Sequence, residues 1–132
     1  MAFEIVPQGV TETASVTFGS GAGPAFSSGV QLDDPQYQRA VLFCTISNGG
    51  SGLGALDVDI VVQTAPSGAS SASTQWIDTD TRINSLIAFD TYAIPVTSPV
   101  LDLLRAKIVK NEGTADVVFQ FRWGADRPLT LI

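Results

Sequence analysis

Apolar and polar residues alternate along much of the second half of the chain, and this period of two is the spacing of a β-strand with one buried face. The segment 104–108 is apolar at every second position: Leu104, Ala106 and Ile108. The segment 117–123 repeats the pattern with larger side chains: Val117, Phe119, Phe121 and Trp123. The spacing predicts two strands that each turn one face, including Trp123, toward a core.

We expect these two strands to pair as an antiparallel hairpin, because the intervening "KNEGTA" has the composition of a turn around Gly113. In the register that pairs Lys110 with Ala115, Ile108 faces Val117 and all of the apolar residues fall on one side. A shift of one residue would turn half of them toward solvent, so the pattern favours this register.

A second strand pair is predicted earlier in the chain. The segment 38–47, "QRAVLFCTIS", is apolar on both faces, which suits a central strand or one covered by a partner. In the segment 55–64, "ALDVDIVVQT", Asp57 and Asp59 alternate with apolar residues, as expected for a strand with one solvated face. A glycine-rich turn separates the two segments.

These patterns predict an all-β protein with a single antiparallel β-sandwich, jelly-roll-like, as one domain over residues 1–132. The chain contains many short strand-like segments with Gly, Ser and Pro between them, and no long amphipathic helix or internal repeat is evident. An open antiparallel sheet is the alternative architecture.

The charge content changes this picture, because only 15% of residues are charged against about 25% in typical domains. Such a surface is either covered in part by another subunit or rich in uncharged polar residues. Residues 1–102 have ten acids and two bases, while residues 103–132 have five bases and three acids. This asymmetry favours head-to-tail contacts between copies, with Arg105, Lys107 and Arg122 as candidate interface residues. Charge reversal at Arg105 or Lys107 should spare the fold.

Several classes of partner are not expected. The acidic balance, −6 overall, argues against nucleic acid, whose phosphates require a cationic surface. The sequence has no apolar run of the roughly 18–20 residues that a membrane span requires, and its start lacks the basic residues of a secretory signal. We therefore expect a soluble protein made in the cytoplasm, with no membrane partner.

The residue types that support catalysis are scarce. The chain has no histidine, which excludes Ser-His-Asp and Cys-His sites. Its one cysteine, Cys44, lies in an apolar run and is predicted to be a buried thiol. Two carboxylate pairs, one at Asp57 and Asp59 and one at Asp78 and Asp80, fit solvated faces better than a calcium site. The sequence predicts neither an enzyme nor a metal or cofactor site.

The segment 63–75 is a long stretch of Ala, Ser and Gly that ends at Trp76. We interpret it as a connection between strands, although its length raises the odds of a role in contact. Trp76 is predicted to be buried at the end of the sandwich. If it were exposed, Trp76 and Tyr92 could stack on a sugar ring.

The order of these parts resembles small β-sandwich structural proteins of tailed-bacteriophage virions, of the capsid decoration or cement type. The resemblance spans residues 56–123, and the matching positions are Gln63, Thr64, Ser67, Gly68, Trp76, Arg105, Lys107, Gly113, Thr114, Ala115 and Val117. It implies a virion protein without an active site that forms a homo-oligomer, commonly a trimer, and binds the outside of the major capsid protein shell. The alternative is a carbohydrate- or receptor-binding module of a tail tip or fibre.

Overall fold

A computed structural model describes residues 9–19, 24–36, 38–48, 56–97, 99–111, 116–127 and 129–132. These residues form eleven strands: β1 (Gly9–Glu12), β2 (Val16–Phe18), β3 (Ala25–Phe26), β4 (Val30–Gln31), β5 (Ala40–Asn48), β6 (Val58–Ala65), β7 (Ile77–Leu86), β8 (Thr91–Pro95), β9 (Leu103–Asn111), β10 (Val117–Ala125) and β11 (Thr130–Leu131). No helix occurs within the described ranges, and accordingly none there could cross a bilayer.

The strands form two antiparallel sheets. In sheet I the order is β1-β10-β5-β8, and β2 also pairs with β10. In sheet II the order is β11-β4-β9-β6-β7, and β3 also pairs with β9. The predicted all-β sandwich is therefore confirmed, and the segment 38–47 forms β5, a central strand of sheet I as its apolar character on both faces suggested.

The pairing pattern is that of a jelly roll. Strands β1 and β2 both pair with β10, and strands β3 and β4 both pair with β9, so each of these two pairs of short strands occupies one position of the fold. In addition, β5 pairs with β8, and β6 pairs with β7. The chain thus runs as a ribbon folded at its midpoint between β6 and β7, and then rolled into two facing sheets. That midpoint is the Ala/Ser-rich connection 66–76.

The predicted hairpin between β9 and β10 is wrong. β9 pairs with β6 in sheet II, where Ile108 lies opposite Ile60, while β10 pairs with β5 in sheet I, where Phe121 lies opposite Cys44. The predicted turn around Gly113 lies outside the described residues. The assignment of faces is nevertheless correct, because the residues assigned to the core are all fully buried: Leu104, Ala106 and Ile108 on β9, and Val117, Phe119, Phe121 and Trp123 on β10. They meet across the space between the sheets instead of side by side within one sheet.

The predicted pairing of the segments 38–47 and 55–64 is wrong for the same reason. They form β5 and β6, which lie in opposite sheets and have different neighbours. Jelly-roll topology explains both corrections, since most of its connections cross from one sheet to the other, whereas sequence order alone favours pairing of adjacent strands.

The core between the sheets is aromatic at its centre. Phe119 and Phe121 are stacked with ring centroids 6.0 Å apart, and Phe18 meets Phe119 edge-on at 6.4 Å. All three are at most 3% exposed, and Trp123 is fully buried, as predicted. Among the described residues, the Trp123 Nε1–H is the one buried side-chain polar atom that has no hydrogen-bond partner.

Candidate binding surface on sheet II

The outer face of sheet II is covered by the connection 66–76. Strand β6 is buried on both faces: Val58, Ile60 and Val62 point into the sandwich core, and Val61, Gln63 and Ala65 point outward yet are at most 5% exposed. A small second cluster explains this burial, since Ala65 packs with Leu103 and Trp76. The predicted connection over 63–75 begins after Ala65 in the structure, because residues 63–65 belong to β6, and it also acts as a cover.

Hydrogen bonds order this cover. The Ala69 amide donates to the Pro66 carbonyl at 3.2 Å, and the Ser73 amide donates to the Ser70 carbonyl at 3.0 Å. Gly68 has a φ of 88°, a left-handed conformation that glycine adopts without steric cost. The Trp76 indole N–H donates to the Ser70 carbonyl at 2.9 Å, so the tryptophan anchors the segment to the sheet. Trp76 is 8% exposed, so its predicted burial is confirmed. It packs with Ala65 and Leu103 at the outer side of sheet II, however, and not at the end of the sandwich.

Arg105 lies at the centre of this surface. Its guanidinium carbon is 4.1 Å from the ring centroid of Phe26 and 4.2 Å from that of Trp76, so the cation contacts two aromatic rings. Both contacts are within the range of cation–π attraction. Only 6% of Arg105 is exposed, and burial lowers the pKa of its guanidinium below the ordinary value.

A row of hydrogen bonds extends from Arg105 across three strands. Its Nε donates to Gln63 Oε1 at 2.8 Å, and Gln63 Nε2 donates to Asp78 Oδ1 at 2.8 Å. The pairing registers set this row, because Gln63 lies opposite Arg105 on β9 and opposite Asp78 on β7. Arg105 Nη1 also donates to the Ser71 carbonyl at 2.8 Å, which ties the guanidinium to the cover.

The aspartate in this row, Asp78, forms an ion pair with Lys107 and not with Arg105. Lys107 Nζ lies 3.6 Å from Asp78 Oδ1, with 22% of the lysine side chain and 47% of the aspartate side chain exposed. At this exposure the ion pair contributes less than about 1 kcal/mol. Its consequence is that the Asp78 carboxylate interacts with Lys107 and Gln63, whereas the Arg105 guanidinium is hydrogen-bonded to neutral oxygens.

A cavity of about 300 Å³ opens beside Arg105, and its wall is formed by Ser27, Ser28, Gly29, Ala69, Ser70, Ser71, Trp76, Arg105 and Ile132. The segment 27–29 follows β3, and the segment 69–71 belongs to the cover, so the cavity lies between these two segments. Its size is at the lower end of the range for small-molecule sites. The wall combines one cation, serine residues and apolar surface.

A larger cavity, of about 490 Å³, opens at the end of the sandwich where β5 begins and β8 ends. Buried Leu32, Ala40 and Leu104 contribute to its wall. Gln38 at its side is fixed in place, because its side-chain oxygen accepts from the Asp33 amide at 2.8 Å and its side-chain nitrogen donates to the Arg127 carbonyl at 2.7 Å. These bonds tie together the segments that close this end of the sandwich.

The three basic residues predicted as an interface do not share one surface. Arg105 and Lys107 lie on the outer face of sheet II, whereas Arg122 lies on β10 of sheet I and is exposed. The expectation that charge reversal at Arg105 spares the fold is wrong, because the guanidinium is buried between two rings and bonded to Gln63 and Ser71. The cavity described above gives access to Arg105.

The structure does not bring Trp76 and Tyr92 together. Tyr92 lies on β8 of sheet I, packs at the margin of the core between the sheets and donates its hydroxyl proton to the Ala88 carbonyl at 2.8 Å. Trp76 packs on the outer side of sheet II, where its ring is covered by Arg105. The two aromatic rings therefore do not form a shared platform for a sugar.

The remaining reactive groups are held in ordinary structural roles. Cys44 is fully buried, as predicted, and burial raises the pKa of its thiol to about 12. The Asp59 carboxylate accepts from the Ser85 amide at 2.7 Å, and Ser85 is the one non-glycine residue of the described ranges with positive φ. No group of three or more His, Cys, Asp or Glu side chains in those ranges is placed to hold a metal.

Phe26 and Gln63 also belong to this surface, but neither residue was identified from the sequence as part of a binding surface. Phe26 follows a glycine-rich segment and shows no alternation, so it carries no strand signal. Gln63 matched the resemblance only as a position. The spacing of Gln63 and Arg105 by 42 residues becomes a contact only through the register of β6 on β9.

Comparison with known proteins yields no relative from which this surface could be interpreted. No protein-family model matches the chain, and no curated protein has significant sequence similarity to it.

Proposed function

We propose that this protein is a non-enzymatic structural protein of a bacteriophage virion, a capsid decoration (cement) protein that self-associates and binds the capsid shell. The resemblance of residues 56–123 to such proteins motivates the proposal. The jelly-roll sandwich supports it, because viral capsid domains are one of the groups of proteins built on this fold. Fold alone does not determine function, so the proposal also depends on which residues the protein exposes.

The observation that carries the proposal is an apolar margin on sheet II. Three large apolar side chains of the described residues are exposed on or beside β3 and β11: Phe26 at 42%, Leu131 at 54% and Ile132 at 55%. Apolar side chains that are exposed near one another mark contact surfaces. β11 is also an edge strand of sheet II with two exposed residues, and such an edge can pair with a strand of another chain.

The low charge of the chain supports the same conclusion. Only 15% of its residues are charged, and no charged residue lies in β3, β4 or β11. Charged side chains on an edge strand are a common protection against pairing. The opposite edge of sheet II has this protection, since β7 carries Asp78, Asp80 and Arg82 and is interrupted by bulges. Self-association is therefore favoured at the β11 edge.

Light scattering coupled to size-exclusion chromatography tests self-association directly. We expect a stable oligomer, and we expect Leu131→Ser to shift it toward monomer because an exposed apolar contact is lost. Leu101→Ser is the matched control, since Leu101 is 44% exposed in the connection before β9. Co-sedimentation with purified capsid shells tests shell binding. A monomer that also fails to sediment with shells would overturn the proposal.

The alternative role, a carbohydrate-binding module that stacks a sugar on Trp76 and Tyr92, has less support. Trp76 is 8% exposed and its ring is in contact with the Arg105 guanidinium. A sugar-stacking aromatic ring has to present a free face, and Trp76 does not.

A further inference from the structure

We propose that the cavity beside Arg105 binds the carboxylate group of a small organic acid, which pairs with the guanidinium edge that the protein leaves open. This inference concerns a ligand and does not depend on the structural role proposed above. It rests on the fixed orientation of Arg105, on the way its charge is balanced, and on the size and chemistry of the cavity.

The orientation of the guanidinium is fixed before any ligand arrives. Phe26 and Trp76 contact it at 4.1 and 4.2 Å, and the bonds from Nε to Gln63 and from Nη1 to Ser71 set its rotation. An arginine held in this way loses little side-chain freedom on binding, which removes a cost that a flexible arginine would incur. Surface arginines without such contacts lack this preorganisation.

No acidic side chain of the described residues pairs with the Arg105 guanidinium. Within the described part of the chain, the hydrogen bonds of Arg105 go to a side-chain amide oxygen and a backbone carbonyl, and Nη2 donates none. The closest acid in the row, Asp78, is bonded to Gln63 and paired with Lys107. A cation that is 94% buried is costly without a counter-charge, so an anion that enters the cavity is attracted to it.

The cavity favours a carboxylate over other anions. A guanidinium is planar and binds carboxylate oxygens in its own plane. Within the described residues, Nη2 is the nitrogen of this guanidinium that donates no hydrogen bond, so it is the group that a carboxylate oxygen would meet. One cation balances one negative charge, whereas a phosphate carries more charge at neutral pH and is not planar. The volume of about 300 Å³ admits a small acid, and the exposed residues Ser28 and Ser70 place hydroxyl groups at the wall for its remaining polar atoms.

Nuclear magnetic resonance of the ¹⁵N-labelled full chain tests the proposal at constant ionic strength. Acetate, propionate and butyrate, each with a single carboxylate, are titrated, and the resonances of Arg105 Nε–H and Trp76 Nε1–H are followed. We expect saturable shifts of both resonances with a dissociation constant in the range of about 1 mM or below. Sodium chloride and inorganic phosphate are the comparison arms, and we expect no saturable shift from either.

A variant of the cavity wall identifies the site without touching Arg105. Ser70→Phe places a ring at the wall and should weaken binding by about tenfold or more. Ser67→Phe is the matched control, because Ser67 is an exposed residue of the same cover that does not line the cavity; it should leave the affinity within about twofold. Circular dichroism confirms that both variants fold.

Three results would each overturn the inference. The first is no saturable shift from any of the three acids up to about 50 mM, a concentration far above the expected dissociation constant. The second is phosphate binding as tight as that of the acids, and the third is equal affinity in Ser70→Phe and Ser67→Phe. Because Ile132 lines the cavity and also belongs to the proposed contact margin, the titrations are carried out on the Leu131→Ser variant as well. An absence of binding in that variant counts against this inference and not against the proposed function.

Discussion

Replacement of Phe119 by alanine tests the packing of the sandwich most directly. Phe119 is fully buried at the centre of β10, with the ring of Phe121 at 6.0 Å and that of Phe18 at 6.4 Å. A buried Phe→Ala change costs about 3–5 kcal/mol through lost transfer energy and the cavity that remains. The two aromatic contacts, each worth about 0.5–1.5 kcal/mol beyond burial, place the expected loss in the upper half of that range.

Urea denaturation followed by tryptophan fluorescence measures this loss, since Trp123 lies on the same face of β10. A domain of this size has a free energy of unfolding of about 5–15 kcal/mol, so the variant should still fold at 25 °C unless the parent is at the low end. Phe89→Ala is the control, because Phe89 is 42% exposed and should cost no more than about 0.5 kcal/mol.

A loss below about 1 kcal/mol for Phe119→Ala, with an unchanged dependence on urea concentration, would refute the packing described here. It would mean that β10 does not turn this face toward the core. Equal losses for Phe119→Ala and Phe89→Ala would lead to the same conclusion.

Four further substitutions probe the cover, the surface beside it and the buried thiol. Trp76→Ala should lower the free energy of unfolding by about 3 kcal/mol, measured in urea, because the cluster beneath the cover loses its largest member. Arg105→Glu should lower the free energy of unfolding by more than about 2 kcal/mol, since a carboxylate replaces a cation among acceptor oxygens. Lys107→Glu should lower it by less than about 1 kcal/mol, because the ion pair of Lys107 is partly exposed. Equal losses for the two variants would contradict the burial of Arg105. Burial raises the pKa of the Cys44 thiol from 9.0 to about 12, so the thiol ionises at lower pH in the unfolded chain than in the folded one. The free energy of unfolding should therefore fall as the pH rises above 9, and it should fall less in Cys44→Ala. Identical pH profiles of the two proteins would contradict the shift.

The alternation of side chains in sequence determined which faces of the strands are buried. Leu104 and Ile108 on β9, and Phe119 and Phe121 on β10, were assigned to the core from their period of two, and each is fully buried. This signal is local, because successive side chains of any strand point to opposite sides whatever lies beside it. The class of fold follows from it, together with the many short segments and turn residues.

Strand pairing was decided by the tertiary structure alone. Two apolar faces can meet as neighbours in one sheet or across the gap between two sheets, and both arrangements bury the same residues. The alternation in β9 and β10 cannot distinguish these arrangements, and the preference for pairing adjacent strands selected the wrong one. Only the register with β6 and with β5 shows that the two strands belong to opposite sheets.

The environment of Arg105 was likewise beyond the sequence. An arginine that alternates with apolar residues is typical of a solvated face, and such a face was expected here. Its burial depends on the connection 66–76 folding back over sheet II and on Phe26 arriving from β3. Both are contacts between segments far apart in the chain, so the sequence alone determined the faces of the strands, while the topology determined which polar residues those faces would enclose.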